Sequence, residues 1–321
     1  MPFYFDYQEK IFRCLKEKGA NVFLINENVC EQSLWIKIIS IYRKKRYGKI
    51  LEEYYMKKFR PMPDMMDYIL VIKGSTLDGK KIDFLKNKYP NAKFIMYQWD
   101  SVAVFPKAEK IAHYFDCCYT FDPDDAKHYG WKYRALFFDP GQCCFDYQRK
   151  IDFAYICSLH SERAKLHQEL KELAEKKQLV FYDYLFTNRW SYFRQKYIKK
   201  NKNFDIKRKD VKFVSLSEKD LSNIYNQSKC LIDYKFPWQK GLTIRSIESV
   251  GHGCKLITNN ELIKNEDFYD PKNIYVYNIN DFDIPLDFLE SGYQRVSEEI
   301  YKKYTVQGWV EEIFGNILGA N

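Results

Sequence analysis

Short apolar runs alternate with helical patterns along this chain, and that alternation restricts the possible folds more than any other feature of the sequence. In the first half, apolar periodicity and turn residues predict strands at residues 21–26, 68–72, 93–97 and 117–121. The helices predicted there are 7–18, 31–59, 77–88, 107–114 and one that Asp122-Pro123 opens and Gly130 closes. Strands that alternate with helices in this way predict a parallel sheet with helices on both faces.

The pattern breaks at residues 138–142 and then restarts. The second series has strands at 153–157, 179–182, 211–214, 229–233, 255–258 and 274–277, and helices at 161–176, after Ser217, at 242–250 and at 296–318. We therefore expect the α/β class with two tandem Rossmann-like doubly wound domains, at residues 1–145 and 146–295. Residues 296–321 are predicted to form a helix that packs back on the N-terminal domain. Ligands bind at the carboxyl ends of parallel strands, so two such domains predict a cleft between them.

The first domain begins in an unusual way for this architecture. A Rossmann-like domain starts with a central apolar strand, but only five residues, Met1 to Phe5, precede the first helical pattern. Pro2 cannot donate a hydrogen bond to a sheet. The first strand is therefore expected to be short, compressed into residues 3–5, or missing.

Composition restricts the class of protein further. The 321 residues include 52 Lys and Arg against 43 Asp and Glu, a formal net charge of +9 that favours anionic partners such as nucleotides, acidic lipids or nucleic acid. No apolar stretch approaches about 18 residues and no signal peptide begins the chain, so a cytoplasmic location is expected. The nine Cys include no C-x-x-C pair, so we expect reduced structural thiols and no metal site.

The segment from residue 233 to residue 260 carries the most chemistry. It has the pattern of a strand, a polar loop, a helix that begins near Gly241, and a second strand. The backbone N–H groups of Gly241, Leu242 and Thr243 would be free at the helix start, where a phosphate binds well. Arg245 and Glu248 would follow on one polar stripe that ends at His252, with Glu248 placed to accept hydrogen bonds from a ribose or sugar. On residue chemistry alone, a surface helix with an exposed Arg–Glu pair explains the pattern equally well.

Several motifs resemble one family of enzymes. Arg245, Ser246-Ile247-Glu248 and residues 253–259, which read GCKLITN, resemble the nucleotide-sugar signature of GT-B glycosyltransferases. The resemblance is closest to the capsule, lipopolysaccharide and spore-maturation branch, whose R-x-x-E-x-x-x-x-G helix precedes a strand ending in Thr-Asn. In the first half, residues 6–11, 97–101, and 119–122 with 125–126 are similar to that branch in the same order. The chain departs from the larger GT-B families at Lys240, where those families have the first of two glutamates.

This resemblance implies a sugar transfer from a nucleotide-activated donor to a surface-polysaccharide or lipid-linked acceptor, without a cofactor. It implies a second donor-binding element in the loop after the first strand of the C-terminal domain. There Ser158, His160 and Arg163 could bind a diphosphate, with Arg163 offering a bidentate fork. The resemblance alone implies that the nucleobase lies near Val214, Ser215 and Leu216.

Inverting glycosyl transfer needs a base that accepts the acceptor's proton. Asp100 is the first candidate, because it follows a predicted strand and Trp99 beside it could stack on a sugar; Tyr97 is the other expected acceptor contact. Asp6 is the second candidate. For either carboxylate, a role as a helix cap or turn residue is the alternative explanation.

Metal independence is expected because both D-x-D sequences, at residues 122–124 and 281–283, fall at predicted helix starts, where carboxylates cap the helix. Donors at helix ends and cationic side chains would then stabilise the leaving group.

A basic, aromatic insertion at residues 189–209 leaves other functions open. With residues 43–46 it indicates peripheral contact with an acidic membrane surface, nucleic-acid binding as the less favoured alternative, or plain solvated surface. A non-catalytic binding module and a nucleotide-sugar epimerase also remain alternatives to the transferase.

Overall fold

The structure is a computed structural model. It describes residues 7–29, 33–159, 161–198, 206–236, 239–278 and 282–315. The chain divides into two compact units. The N-terminal unit comprises Met1–Leu136, Trp238–Gly241 and Val306–Asn321, and the C-terminal unit comprises Phe137–Pro237 and Leu242–Thr305.

The N-terminal unit contains a four-stranded parallel sheet. Its strands, in chain order and in spatial order, are β1 (Tyr68–Ile72), β2 (Lys93–Gln98), β3 (Cys117–Thr120) and β4 (Lys132–Tyr133). Three of the predicted strands are thereby confirmed, and the register pairs Leu70 with Ile95 and Met96 with Cys118. The first segment of this unit, Met1–Leu136, contains six helices in the described residues. They are α1 (Tyr7–Glu17), α2 (Leu34–Tyr42), α3 (Lys44–Phe59), α4 (Gly79–Lys88), α5 (Lys107–Ala112) and α6 (Pro123–Tyr129).

Two predictions for the N-terminal unit are wrong. Residues 21–26 pair with no strand of the sheet. Residues of this segment line a cavity of about 920 Å³ together with β1, and the Asn26 carbonyl accepts from the Tyr54 hydroxyl. The single helix predicted over 31–59 is broken at Arg43, whose backbone leaves the helical region (φ −134°, ψ 63°). The first strand predicted at residues 3–5 lies outside the described residues.

The C-terminal unit contains a six-stranded parallel sheet. Its strands are β5 (Ile151–Ser158), β6 (Phe181–Phe186), β7 (Val211–Lys212), β8 (Ser228–Ile232), β9 (Lys255–Thr258) and β10 (Ile274–Val276). The spatial order is β10-β9-β8-β5-β6-β7, so the first strand of the unit lies beside its fourth. This order reverses direction between β5 and β8, which defines the topological switch point of a doubly wound sheet.

Four described helices of the C-terminal unit lie between these strands in sequence, and two more follow β10. They are α7 (Ser161–Lys177), α8 (Arg189–Phe193), α9 (Glu218–Gln227), α10 (Ile244–His252), α11 (Leu286–Glu290) and α12 (Glu298–Lys303). The predicted cap at the start of α9 is confirmed, since Ser217 Oγ accepts from the Asp220 N–H at 3.1 Å. The core between sheet and helices includes fully buried Phe153, Leu170 and Ile257.

After α12 the chain re-enters the N-terminal unit through α13 (Val306–Phe314). The single helix predicted over 296–318 is therefore two helices, and residues 316–318 lie outside the described ones. Trp309 of α13 is fully buried and meets Tyr97 edge to face, with 4.9 Å between ring centroids. Within the residues described, no helix is long and apolar enough to cross a bilayer.

Candidate functional site

The switch point between β5 and β8 is where a doubly wound sheet binds its ligand. The two strands run parallel and pair from Ile151 with Ser228 to Ala154 with Leu231. Their carboxyl ends are Ser158 and Ile232, and Asp233 follows at once with a fully buried side chain. Beyond the last paired residues the strands no longer bond to each other, so side chains have to satisfy the free backbone groups there.

Arg245 spans this gap from helix α10. Its Nη1 donates to Asp233 Oδ1 at 3.1 Å, and its Nη2 donates to the carbonyl oxygen of Ile156 in β5. The second Asp233 oxygen accepts from Thr258 Oγ1 at 3.1 Å, so the carboxylate is fixed from two sides. Arg245 thus connects β5 with the residue that follows β8.

Arg163 spans the same gap from helix α7. Its Nη1 donates to the Ser158 carbonyl at 3.2 Å and its Nη2 to the Tyr234 carbonyl at 3.3 Å. Its guanidinium lies 4.6 Å from the centroid of the Phe236 ring. Within the described residues, both hydrogen-bond acceptors of Arg163 are neutral carbonyls, so these bonds do not neutralise its positive charge.

Two guanidinium groups therefore bridge the carboxyl ends of the same two strands. The Nε atoms of Arg163 and Arg245 are both buried without a hydrogen-bond partner in the part of the chain described. Burial raises the pKa of the nearby Cys157 thiol, and Arg163 is the largest influence that lowers it. The thiol stays protonated at neutral pH and adds no charge. The charged groups at this end of the sheet include the two arginines, Asp233 and Glu248.

Helix α10 begins at Ile244, two residues after the start of the predicted helix at 242–250. Thr243 is its N-cap and accepts from the Ser246 N–H at 3.4 Å, so the first-turn N–H groups belong to Ile244 and Arg245. Gly241 and Leu242 precede the helix, so the prediction that their N–H groups lie at its start is wrong, whereas Thr243, as the N-cap, stays a predicted phosphate contact.

Gly241 has a packing role in the N-terminal unit. Burial raises the pKa of the Asp122 carboxyl. The Gly241 N–H donates to that carboxylate and partly offsets the rise. A Cβ at Gly241 would lie 2.5 Å from the Phe121 ring. The glycine is explained by this close contact rather than by the approach of a ligand.

The polar stripe predicted on α10 faces helix α9. The Tyr225 hydroxyl hydrogen-bonds with Arg245 and Glu248, and His252 Nδ1 lies 2.6 Å from Asn226 Oδ1. The exposed Arg–Glu pair of the alternative explanation is also absent here, since Arg245 is turned inward. Glu248 therefore belongs to the network that holds Arg245.

The remaining donor-side predictions lie at the rim of the sheet. Val214 and Ser215 are exposed beyond β7, Leu216 is half-buried, and the Val214 carbonyl accepts from the Tyr184 hydroxyl at 2.6 Å. Ser158 is exposed, and His160 lies outside the described residues.

On the acceptor side, Asp100 lies just beyond the carboxyl end of β2. Its Oδ2 is 2.6 Å from Lys73 Nζ, and Lys73 and Gly74 both adopt left-handed backbone conformations just after β1. Trp99 is half-buried, with its ring 6.3 Å from that of Tyr7.

The other two acceptor-side predictions concern Tyr97 and Asp6. Tyr97 is 1% exposed and its hydroxyl donates to the Arg134 carbonyl at 3.0 Å, so the prediction that it contacts an acceptor is wrong. Its side chain belongs to the core beneath Trp309. Asp6 lies outside the described residues.

Sequence reasoning missed Glu27. This carboxyl group is 2% exposed and accepts from the N–H groups of Ser75 and Gly74, beside Lys73. Burial raises its pKa above the ordinary value for glutamate. The sequence did contain a signal for it, because the polar triplet Asn-Glu-Asn at residues 26–28 directly follows an apolar run. Functional polar groups often lie where a predicted strand ends. Glu27 also lines the 920 Å³ cavity, whose lining includes none of the predicted site residues.

The two D-x-D sequences differ in role. Asp122 caps α6 as predicted, accepting from the N–H groups of Asp124 and Asp125 at 3.0 and 3.3 Å. Asp283 is not a helix cap; it accepts from Lys177 Nζ at 2.6 Å. Asp281 lies outside the described residues. Across the described ranges, no group of three or more His, Cys, Asp or Glu could hold a metal ion.

No protein-family model and no curated protein matches the sequence. Among solved structures, the trehalose-phosphate synthase (UDP-forming) of Burkholderia vietnamiensis is similar over 98% of this chain and 82% of its own, with 10% identity and a TM-score of 0.50. The Gap123 complex of Streptococcus agalactiae has 15% identity and a TM-score of 0.44 over 83% of this chain, which spans 57% of its length. TarM has 13% identity and a TM-score of 0.46 over 83% of this chain, which spans 53% of its length.

The structural neighbours include GT-B glycosyltransferases. With two parallel α/β sheets, this chain has their fold. At these identities the likeness defines the fold, and the activity has to be argued from the site.

Proposed function

We propose that this protein is a glycosyltransferase that moves a sugar from a nucleotide-sugar donor to a surface-glycan or lipid-linked acceptor. The observation that carries the proposal is the pair Arg163 and Arg245, which bridge β5 and β8 at the switch point of the C-terminal sheet. Dinucleotides and nucleotide sugars place their diphosphates at this position in doubly wound sheets.

The arginines fit the charge of a diphosphate. Each guanidinium presents N–H donors in a fixed fork that matches phosphate oxygens, and each retains a buried Nε with unused hydrogen-bonding capacity in the described structure. The first-turn N–H groups of Ile244 and Arg245 add a helix N-terminus after β8. Cations and oriented donors of this kind stabilise a departing nucleoside diphosphate, so the proposal requires no metal ion.

The other donor contacts follow from this placement. Glu248, held by Tyr225, orients Arg245 and is the group we assign to a ribose or sugar hydroxyl. The exposed backbone at Val214 and Ser215 is assigned to the nucleobase, together with Leu216. Ser158 lies beside Arg163 and completes the phosphate site with His160.

Acceptor activation is assigned to the N-terminal unit. Asp100 is the proposed base, with its charge held by Lys73 and with Trp99 as the sugar-stacking residue. Asp6 is the alternative base. Peripheral contact with an acidic membrane surface is part of the proposal, because a lipid-linked acceptor has to be reached at a bilayer.

Thermal denaturation with a panel of nucleoside diphosphates and nucleotide sugars tests the donor site, with UDP first because the trehalose-phosphate synthase is UDP-forming. Ligand at about a thousand times its Kd should stabilise the wild-type protein by about 4 kcal/mol. Arg163→Gln should lose most of that gain. Arg295→Gln is the matched control, since Arg295 also lies 4.6 Å from an aromatic centroid, that of Phe145. Equal nucleotide binding by both variants would refute the assignment.

Product analysis separates the remaining alternatives. Transfer requires that a nucleoside diphosphate and a glycosylated acceptor appear together, with and without a chelator. An epimerase would isomerise the sugar with no acceptor present. Salt-sensitive binding of RNA or DNA, with no nucleoside diphosphate binding, would instead identify a nucleic-acid-binding protein.

A further inference from the structure

Helix α2 presents an exposed apolar face. Trp35, Ile38, Ile41 and Tyr42 are 75%, 41%, 59% and 80% exposed. Trp35, Ile38 and Tyr42 follow one another at i, i+3 and i+7, with Ile41 beside them, so the four side chains share one side of the helix. Contiguous apolar exposure marks an interaction surface, whereas single exposed residues do not.

A cluster of cations follows this face directly in the chain. Residues 33–51 contain six Lys and Arg and no Asp or Glu. Four of the six are consecutive, at residues 43–46, and all four are exposed at the turn between α2 and α3. An acid first appears at Glu52, a full turn further along α3. The surface therefore combines aromatic and aliphatic groups with a positive charge that has no acidic neighbour in the same stretch of chain.

Helix α3 holds this surface to the folded unit. Its Leu51, Tyr55 and Phe59 are buried at i, i+4 and i+8 in the core of the N-terminal unit. The Arg43 N–H still donates to the Ile39 carbonyl at 2.8 Å, so α2 stays joined to α3 by a defined turn. The apolar face of α2 is consequently a fixed part of the protein surface.

We propose that α2 and residues 43–46 bind the surface of an anionic lipid bilayer. Trp35, Ile38, Ile41 and Tyr42 enter the boundary between headgroups and acyl chains, and the four cations contact lipid phosphates, which is the pattern of an interfacial amphipathic helix. A second copy of this chain is a poor occupant, because two clusters of four cations would meet. This inference rests on the membrane contact included in the proposed function and assigns that contact to α2, and its test uses neither a sugar donor nor an acceptor.

Co-sedimentation of the full-length protein with vesicles tests this binding. We expect strong partitioning onto phosphatidylglycerol–phosphatidylcholine vesicles at low salt, much weaker binding to phosphatidylcholine alone, and weakening as salt rises. Lys44→Glu with Lys45→Glu should lower the partition coefficient about tenfold or more. Lys171→Glu with Lys176→Glu makes the same change in net charge on exposed positions of α7 and should have little effect. Equal loss in both double variants would overturn the proposal.

The apolar contribution is tested separately. Trp35→Ser with Tyr42→Ser should reduce binding about tenfold. Trp190→Ser with Tyr197→Ser removes a similarly exposed aromatic pair from the insertion at residues 189–209, which is the alternative membrane surface, and should have little effect. Brominated lipids should quench tryptophan fluorescence in the wild type and lose most of that quenching in Trp35→Phe. The opposite ranking of the two aromatic pairs would overturn the proposal, as would a lipid-free dimer that Trp35→Ser with Tyr42→Ser dissociates. Thermal denaturation of each variant distinguishes a loss of membrane binding from misfolding. Nucleotide binding in solution tests the transferase proposal separately.

Discussion

Gly251 lies inside helix α10, against the ring of Phe138. A Cβ at this position would come within 2.5 Å of Phe138 Cγ, closer than real Cβ atoms approach. The ring is itself 2% exposed and cannot move into solvent without losing its packing. The sequence shows a glycine within a helical pattern, and only the structure shows that an aromatic ring occupies the space.

Gly251→Ala should lower the free energy of unfolding by about 1–3 kcal/mol through overpacking, partly offset by the higher helix propensity of alanine. Gly292→Ala is the control, because its Cβ would meet nothing within 4 Å. Urea denaturation of both variants measures the difference. Equal midpoints would show that the helix moves away from Phe138 at no cost.

Glu27 makes stability depend on pH. Burial raises its pKa in the folded protein above the ordinary value of 4.5, so the folded state holds its proton at a higher pH than the unfolded state does. Its contribution is therefore most favourable at low pH and is lost as pH rises through the folded pKa. Glu27→Gln removes this dependence.

The stability of Glu27→Gln relative to the wild type should thus increase as pH rises above 4.5, and level off once the wild-type carboxyl is ionised in both states. Denaturation curves between pH 4 and 9 test this. Glu53→Gln, at an exposed position of α3, is the control. A difference that stays constant with pH would contradict the assignment.

Among the elements, α6 was the most completely predictable from local sequence. Asp122 accepts from the first-turn N–H groups, Pro123 occupies the first turn, and Gly130 ends the helix with φ +69°. Each of these signals acts within a few residues, so tertiary contacts are not needed to interpret them. The break at Arg43 has no such signal, since neither proline nor glycine stands there, and it was missed.

Asp122→Ala should lower the free energy of unfolding by about 1–2 kcal/mol. Three N–H groups would lose their acceptor: two in the first turn of α6 and that of Gly241. Asp122→Asn keeps a side-chain oxygen and should cost less. Chemical denaturation compares the two variants. If Asn costs as much as Ala, the charge of Asp122 rather than its hydrogen bonds stabilises the helix.

The N-terminal unit is discontinuous in sequence. Helix α13 completes it: Trp309 packs on Tyr97, Glu312 lies 3.0 Å from the Arg134 Nε, and Phe314 meets Tyr68 edge to face. These residues are nearly 180 or more positions apart in the sequence, so no local pattern predicts the contacts. The unit depends on the last part of the chain for its core.

A chain that ends at Thr305 should keep protected amides in the C-terminal unit and lose protection in the N-terminal unit, because removing α13 exposes a core that buried Trp309. Hydrogen exchange measures both units in one experiment. A chain that ends at Gly315 retains α13 and is the control. Protection of both units in the shorter chain would contradict this prediction.

Local patterns were sufficient for the α/β class and for most strands and caps, whereas the anion-binding role of Arg163 and Arg245 stays a prediction. Local patterns did not predict the contacts between elements that are distant in the sequence. The strand order that places β5 beside β8 joins residues about 80 positions apart, and it alone brings both arginines to one gap. The same packing buried Tyr97, turned Glu248 towards Tyr225 and placed Phe121 against Gly241. Periodicity and capping act within a few residues of the chain, whereas the partner of a buried side chain is chosen by contacts that form only when distant elements pack together.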